Sequence, residues 1–146
     1  AELGIEPLTD RIYTELSGGE QRLVQYARVL LQCEALGAPG WLLLDEPESH
    51  LDLGVVERVM AAARRRADRG LGVVAAIHDL ELASRWADRV VVLAEGRLRA
   101  DGPPREALTA PLLSEVWGTP VTVAAEEPGG VRVRLAPLQS ADSTDA

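Results

Sequence analysis

The sequence predicts an α/β fold in which parallel core strands are flanked by helices and a β-hairpin closes the chain. Three observations predict it. Two short apolar runs, Trp41-Leu42-Leu43-Leu44 and residues 71–77, are continuous rather than alternating, the pattern of central strands in a parallel sheet buried on both faces. Stretches with helical spacing of apolar residues precede, separate and follow them. Turn signals at Glu95-Gly96 and Pro128-Gly129-Gly130 split two valine-rich segments into paired strands.

The elements follow in order. Residues 1–16 carry scattered apolar positions with Pro7, and read as the end of a preceding helical region plus a loop. Leu16-Ser17-Gly18-Gly19-Glu20-Gln21 then opens a helix over 17–36. Ser17 and Glu20 have the spacing of a capping box. The two glycines do not serve that cap, since each costs roughly 1 kcal/mol relative to alanine in a helix. They leave the backbone open to close approach, at the helix end whose free amides and dipole suit phosphate. Leu23, Ala27, Leu30 and Leu31 mark the apolar side of this helix; Arg22, Gln25, Arg28 and Gln32 fall elsewhere.

Residues 37–40 break the chain before the first strand, and Asp45 and Glu46 stand at its C-terminal end. That edge is where open α/β sheets bind ligands. Adjacent strand residues point to opposite sides, so two neighbouring carboxylates can serve two partners, although they could also simply cap a loop. A helix follows over 53–69, with Val55, Val59, Met60 and Ala63 on one side. Asp52 could simply be its N-cap, and Gly70 ends it. The second strand delivers His78 to the same sheet edge, 32 residues after Glu46; taken alone, a histidine there is most simply structural. A short helix over 79–87, a hairpin through Glu95-Gly96 expected to close the sheet edge, and two helical pieces over 103–117 interrupted before Pro111 come next. Residues 121–123 and 131–135 form the last hairpin, and the small polar tail 139–146 reads as disordered.

Composition narrows the function. The net charge of −8 argues against wrapping a nucleic-acid backbone, which needs clustered cations. The one basic run, Arg64-Arg65-Arg66, sits late in a helix and reads as a solvated face. Cys33 is the only cysteine, so neither an internal disulfide nor a cysteine metal site is available. No apolar run approaches the roughly 18 residues of a spanning helix, and the chain reads as soluble and cytoplasmic.

With these residues in hand, the chain resembles the ATP-binding cassette (ABC) ATPases. LSGGEQ matches their signature motif, WLLLDEP at 41–47 their Walker B strand, SHLD at 49–52 their D-loop, and His78 their switch histidine, in that order. The resemblance covers about two thirds of the chain. It implies a P-loop NTPase-like ABC ATPase fold, C-terminal part only. The expected division is a cassette portion over 1–123, a terminal hairpin extension over 124–138, and the tail. All 15 basic residues are arginine, whereas the phosphate-binding loop GxxxxGK needs a lysine. With no initiator methionine at Ala1, the chain is therefore expected to be a fragment lacking the lysine loop, the glutamine loop and the adenine-stacking aromatic.

The resemblance implies roles. ATP and Mg2+ are the cofactors. Asp45 would hold the metal, Glu46 would activate the attacking water, and His78 would contact the γ-phosphate. Ser17, Gly18, Gly19, Glu20 and Gln21 would meet ATP held by the opposite subunit of a head-to-tail homodimer, with Asp52 coupling the two sites. Two departures stand out: Glu48 replaces a small hydroxyl residue, tolerated if the loop is exposed, and Leu23 stands where many members have arginine. The segments around 33–40 and after His78 are similar to importer cassettes for haem, ferric siderophores or cobalamin. Such a subunit lies at the inner face of the cell membrane on its permease subunits, and serves a periplasmic or surface substrate-binding protein indirectly. A soluble ABC ATPase acting on nucleic acid or ribosomes would need basic surface, and a non-hydrolysing regulatory remnant would not need Asp45 and Glu46.

Overall fold

A computed structural model of the chain describes residues 2–36, 39–127 and 129–136. The polar tail expected to be disordered lies outside them. The chain divides into two compact units, residues 1–78 and 79–146.

In the first unit, two short 3₁₀ turns, Glu6–Leu8 and Tyr13–Glu15, precede helix α1 (Gly18–Leu36). Residues 2–16 thus do not continue a helix; Leu3 and Leu16 tuck into the interior along an irregular path. Strand β1 (Trp41–Asp45) pairs in parallel with β2 (Gly72–Ala76), Trp41 opposite Gly72 and Asp45 opposite Ala76. Helix α2 (Leu53–Ala67) makes the crossover. It ends as Gly70 expects, with φ +95° there and a bond from the Leu71 N–H to the Arg66 carbonyl.

Leu23 and Leu30 of α1, Leu42 and Leu44 of β1, and Val59, Ala62 and Ala63 of α2 form one core with Leu3. Both helices therefore cover the same face of β1. Leu42 is 1% exposed while Leu43 is 72% exposed, so burial on both faces, expected from the continuous apolar run, is not what this unit shows. Residue pairs alternate across a strand, and the described residues of the unit supply helices to one side alone. Trp41 lies flat over its cross-strand neighbour; a Cβ on Gly72 would come within 2.4 Å of the indole.

The basic run also departs from expectation. Arg66 is 6% exposed and bonds Glu2 at 3.0 Å and Glu34 at 2.6 Å, while Arg65 pairs with Glu2 and Arg64 with Asp68. The run is a set of structural ion pairs that ties the chain's start to α2, rather than a solvated face.

The second unit begins with α3 (Leu80–Trp86), capped by Asp79, whose carboxylate accepts from the Leu82 N–H at 3.0 Å. Strands β3 (Val90–Ala94) and β4 (Arg97–Gly102) form the predicted hairpin, with positive φ at both Glu95 and Gly96. They pair with each other, and no ladder joins them to a further strand among the described residues. Helix α4 (Pro104–Ala107) and helix α5 (Ala110–Trp117) are separated at Leu108, which is fully buried. Pro111 lies inside the first turn of α5, where a missing N–H costs nothing, and the interruption falls before it, as expected. Strands β5 (Val121–Glu126) and β6 (Gly130–Leu135) make the final antiparallel pair, Glu126 opposite Gly130. Val121 and Val131 join Leu108 and Leu113 in this unit's core.

Candidate functional site

The first cluster is the start of α1. The Ser17 N–H donates to Glu20 Oε2 at 2.7 Å, and the Ser17 hydroxyl accepts from the Glu20 N–H at 3.3 Å, the reciprocal pair of a capping box. Glu20 Oε1 accepts from Arg11 Nη1 at 2.7 Å. The Ser17 amide, first among these contacts, holds the Glu20 carboxyl below its ordinary range. Gln21 Nε2 donates to the Leu16 carbonyl at 3.0 Å. Glu20 and Gln21 thus spend their side chains on the chain itself, while Ser17 and Gly18 are exposed.

As first and second helical residues, Gly18 and Gly19 offer amides with no carbonyl inside the helix to pair with. A Cβ on Gly18 would meet nothing within 4 Å. On Gly19 it would lie 3.3 Å from the His50 carbonyl oxygen. Packing therefore accounts for a glycine at 19, and no contact among the described residues accounts for one at 18. Neither has a positive φ.

The second cluster forms where β1 and β2 end side by side. The Glu46 N–H donates to the Ala76 carbonyl at 3.0 Å, extending the parallel ladder by one rung. The chain then turns sharply, with φ +45° at Glu46, a region non-glycine residues seldom occupy. The turn is held from α1: Arg22 Nη2 donates to the Glu46 carbonyl at 2.5 Å and to the Asp45 carbonyl at 3.2 Å. Arg22 is itself oriented by Tyr26, whose hydroxyl accepts from Nε at 3.1 Å and whose ring lies 5.9 Å from the guanidinium.

Glu46 Oε1 and His78 Nε2 are 2.6 Å apart, and Ser49 Oγ donates to Glu46 Oε2 at 2.9 Å. The His78 bond, then the Ser49 bond, hold the Glu46 carboxyl below its ordinary range; the same carboxylate raises the His78 imidazole above its own. The ring is 76% exposed, so both groups remain open to an incoming reactant. Asp45 is exposed beside them. Among the described residues no three His, Cys, Asp or Glu side chains group into a metal site. Asp52 occupies the N-cap position of α2, yet its side chain makes no capping bond.

Glu48 is not on an exposed loop as expected. It is half-buried, and Oε1 accepts the His78 backbone N–H at 2.6 Å. A glutamate reaches across to β2 where a small hydroxyl has no such length.

The structure thus brings Glu46 and His78 together and sets Asp45 next to them, and keeps Ser17 and Gly18 as a separate open edge. Sequence reasoning missed Arg22 and Ser49. Leu23, singled out as the missing arginine, is 6% exposed in the core. One residue earlier, a 100° turn of the helix aims Arg22 at the end of β1, and its place directly after LSGGEQ was the available signal.

No protein-family model matches the chain. The hemin import ATP-binding protein of Bordetella pertussis is 45% identical over 128 residues, covering 85% of this chain and 49% of that protein. The protein of the same name from Rhodococcus jostii is 51% identical over 114 residues, covering 78% of this chain and 37% of its own length. The chain therefore spans about half the length of such relatives or less. Among solved structures, a metal-chelate type ABC transporter in an inward-facing conformation aligns with a TM-score of 0.68 at 25% identity, over 93% of this chain and 53% of that one. An archaeal ribosome recycling factor, solved with a ribosomal stalk protein, aligns with a TM-score of 0.67 at 27% identity, over 96% of this chain and 26% of its own. Signature, Walker B, D-loop and histidine in this order, on this fold and with these relatives, place the chain in the family of ABC transporter ATP-binding subunits, of which it matches the C-terminal part.

Proposed function

We propose that the complete subunit containing this chain binds and hydrolyses ATP to drive an importer for haem, or for the related cargoes ferric siderophore and cobalamin. The observation that carries the chemistry is the Glu46–His78 pair at the ends of adjacent parallel strands. Glu46 would accept the proton of the attacking water at Oε1 or Oε2, with Arg22 and Ser49 fixing its turn. His78 would donate from Nε2 to the γ-phosphate, a contact that requires its ring to leave Glu46.

Asp45 fits a magnesium site. Mg2+ keeps several waters and binds through one or two carboxylates plus phosphate oxygens, so one exposed carboxylate at the strand end suffices. The ion would neutralise charge developing on the transferring phosphoryl group.

Ser17 and the open amides of Gly18 and Gly19 would receive ATP carried by a second copy in a head-to-tail homodimer. Glu20 and Gln21 would shape that edge from behind, and Asp52, free of its capping duty, would lie between the two sites. The subunit would dock on membrane permease subunits at the inner face of the cell membrane, and a substrate-binding protein would deliver the cargo. Support for import comes from relatives named for hemin import at 45–51% identity. The fold alone does not choose, because the ribosome recycling factor shares it; the net charge of −8 disfavours that class.

The test is Glu46→Gln in the complete subunit. Glutamine keeps the length of the side chain and leaves the Arg22 bonds to the turn's carbonyls in place but cannot take the proton, so turnover should fall by roughly 100-fold or more while ATP binding persists. Hydrolysis within threefold of the parent would remove Glu46 from the base role.

A further inference from the structure

We infer that Glu48 is a positioning residue: by accepting the His78 backbone N–H, it latches the turn that carries Glu46 to the end of β2 and keeps the imidazole within reach of Glu46. The functional consequence rests on the proposed roles of Glu46 and His78, whereas the latch itself does not.

Three observations carry it. The Glu48 Oε1 to His78 N distance of 2.6 Å makes this a short, charge-assisted hydrogen bond. It spans 30 residues of sequence and joins two segments that the β1–β2 ladder has already released, since the last rung is the Glu46 N–H to the Ala76 carbonyl. Beyond that rung, Glu48 anchors the His78 backbone and the Glu46 carboxylate anchors its ring. Finally, Glu48 Oε2 is buried without a hydrogen-bond partner among the described residues. A buried unpaired carboxylate oxygen is costly, and a glutamate held at that cost is held for what its other oxygen does.

Geometry sets the length requirement. Serine, threonine or aspartate at 48 is too short to span the gap that the glutamate closes. Glutamine has the same reach and keeps a carbonyl acceptor at the Oε1 position.

The experiment is amide hydrogen exchange on the full chain, without nucleotide, comparing Glu48→Thr and Glu48→Gln with the parent. Loss of the latch in Glu48→Thr should speed exchange of the His78 N–H about tenfold or more relative to amides within β1 and β2. Glu48→Gln should stay within about threefold of the parent. If Glu48→Thr loses protection throughout β1 and β2, Glu48→Asp, which keeps the charge and loses the reach, replaces it with the same expectation. Equal His78 exchange in parent and short variant, or equal loss in Gln and the short variant, overturns the latch. In the complete subunit the short variant should lower kcat with KM for ATP little changed, and Gln should restore kcat. A latch seen by exchange without that kcat pattern would overturn its catalytic consequence and leave the exchange result standing.

Discussion

Glu46 and His78 each move the other's proton, and the direction of both shifts fixes how the pair responds to pH. The Glu46 carboxyl is lowered from 4.5 and the His78 imidazole raised from 6.5. The histidine's contribution is fully present below pH 6.5 and is lost as pH rises through its raised value. The carboxylate's contribution is present above pH 4.5 and is lost as pH falls through its lowered value. The ion pair is therefore complete between these limits and decays outside them. A proton-detected titration of the His78 ring should give a midpoint above 6.5, and Glu46→Gln should bring it down. A midpoint unmoved by Glu46→Gln would show that the two side chains do not pair in solution. With both side chains so open to solvent, the pair organises the site more than it stabilises the fold.

At the scale of elements, the start of α1 separates two uses of one motif. Ser17→Ala removes a formed cap and should cost about 1 kcal/mol. Gly18→Ala adds a methyl into open space at a helical position, so it should raise stability, by up to about 1 kcal/mol. If the Gly18 amide receives phosphate, that same stabilised variant should hydrolyse ATP more slowly, because the methyl occupies the approach. Thermal melts paired with steady-state hydrolysis in the complete subunit check this. A stabilised Gly18→Ala with parental turnover would reduce the glycine to an accident of sequence. The capping box, the helices and the parallel pair were legible in the sequence because periodicity and cap chemistry are local. The open face of β1 was not, since a continuous apolar run reports what a strand could bury and the described residues cover one side. Nor were the partners of Arg22 and Glu48 legible. Both reach across more than twenty residues of sequence, and their targets are backbone groups, which carry no signature of side-chain type.

At the scale of the whole molecule, the central proposal is that one chain would serve two sites: Gly18 on the partner's ATP, Glu46 on its own. The structure selects the variant for testing it. Gly19 is already close to the His50 carbonyl, so a side chain there would confuse folding with function, whereas Gly18→Asp places a negative charge in open space, where the proposal puts phosphate. The measurement compares ATP hydrolysis by two dimers of the complete subunit, assembled at equal stoichiometry. In one, Gly18→Asp and Glu46→Gln are on different subunits; in the other, both are on the same subunit beside an unmodified partner. With the lesions on different subunits, both fall in one composite site and the second site keeps every group, so this dimer should hydrolyse ATP. With both on one subunit, each site is damaged and the rate should be far lower. Indistinguishable nonzero rates from the two dimers would contradict the assignment of Gly18 to the partner's nucleotide.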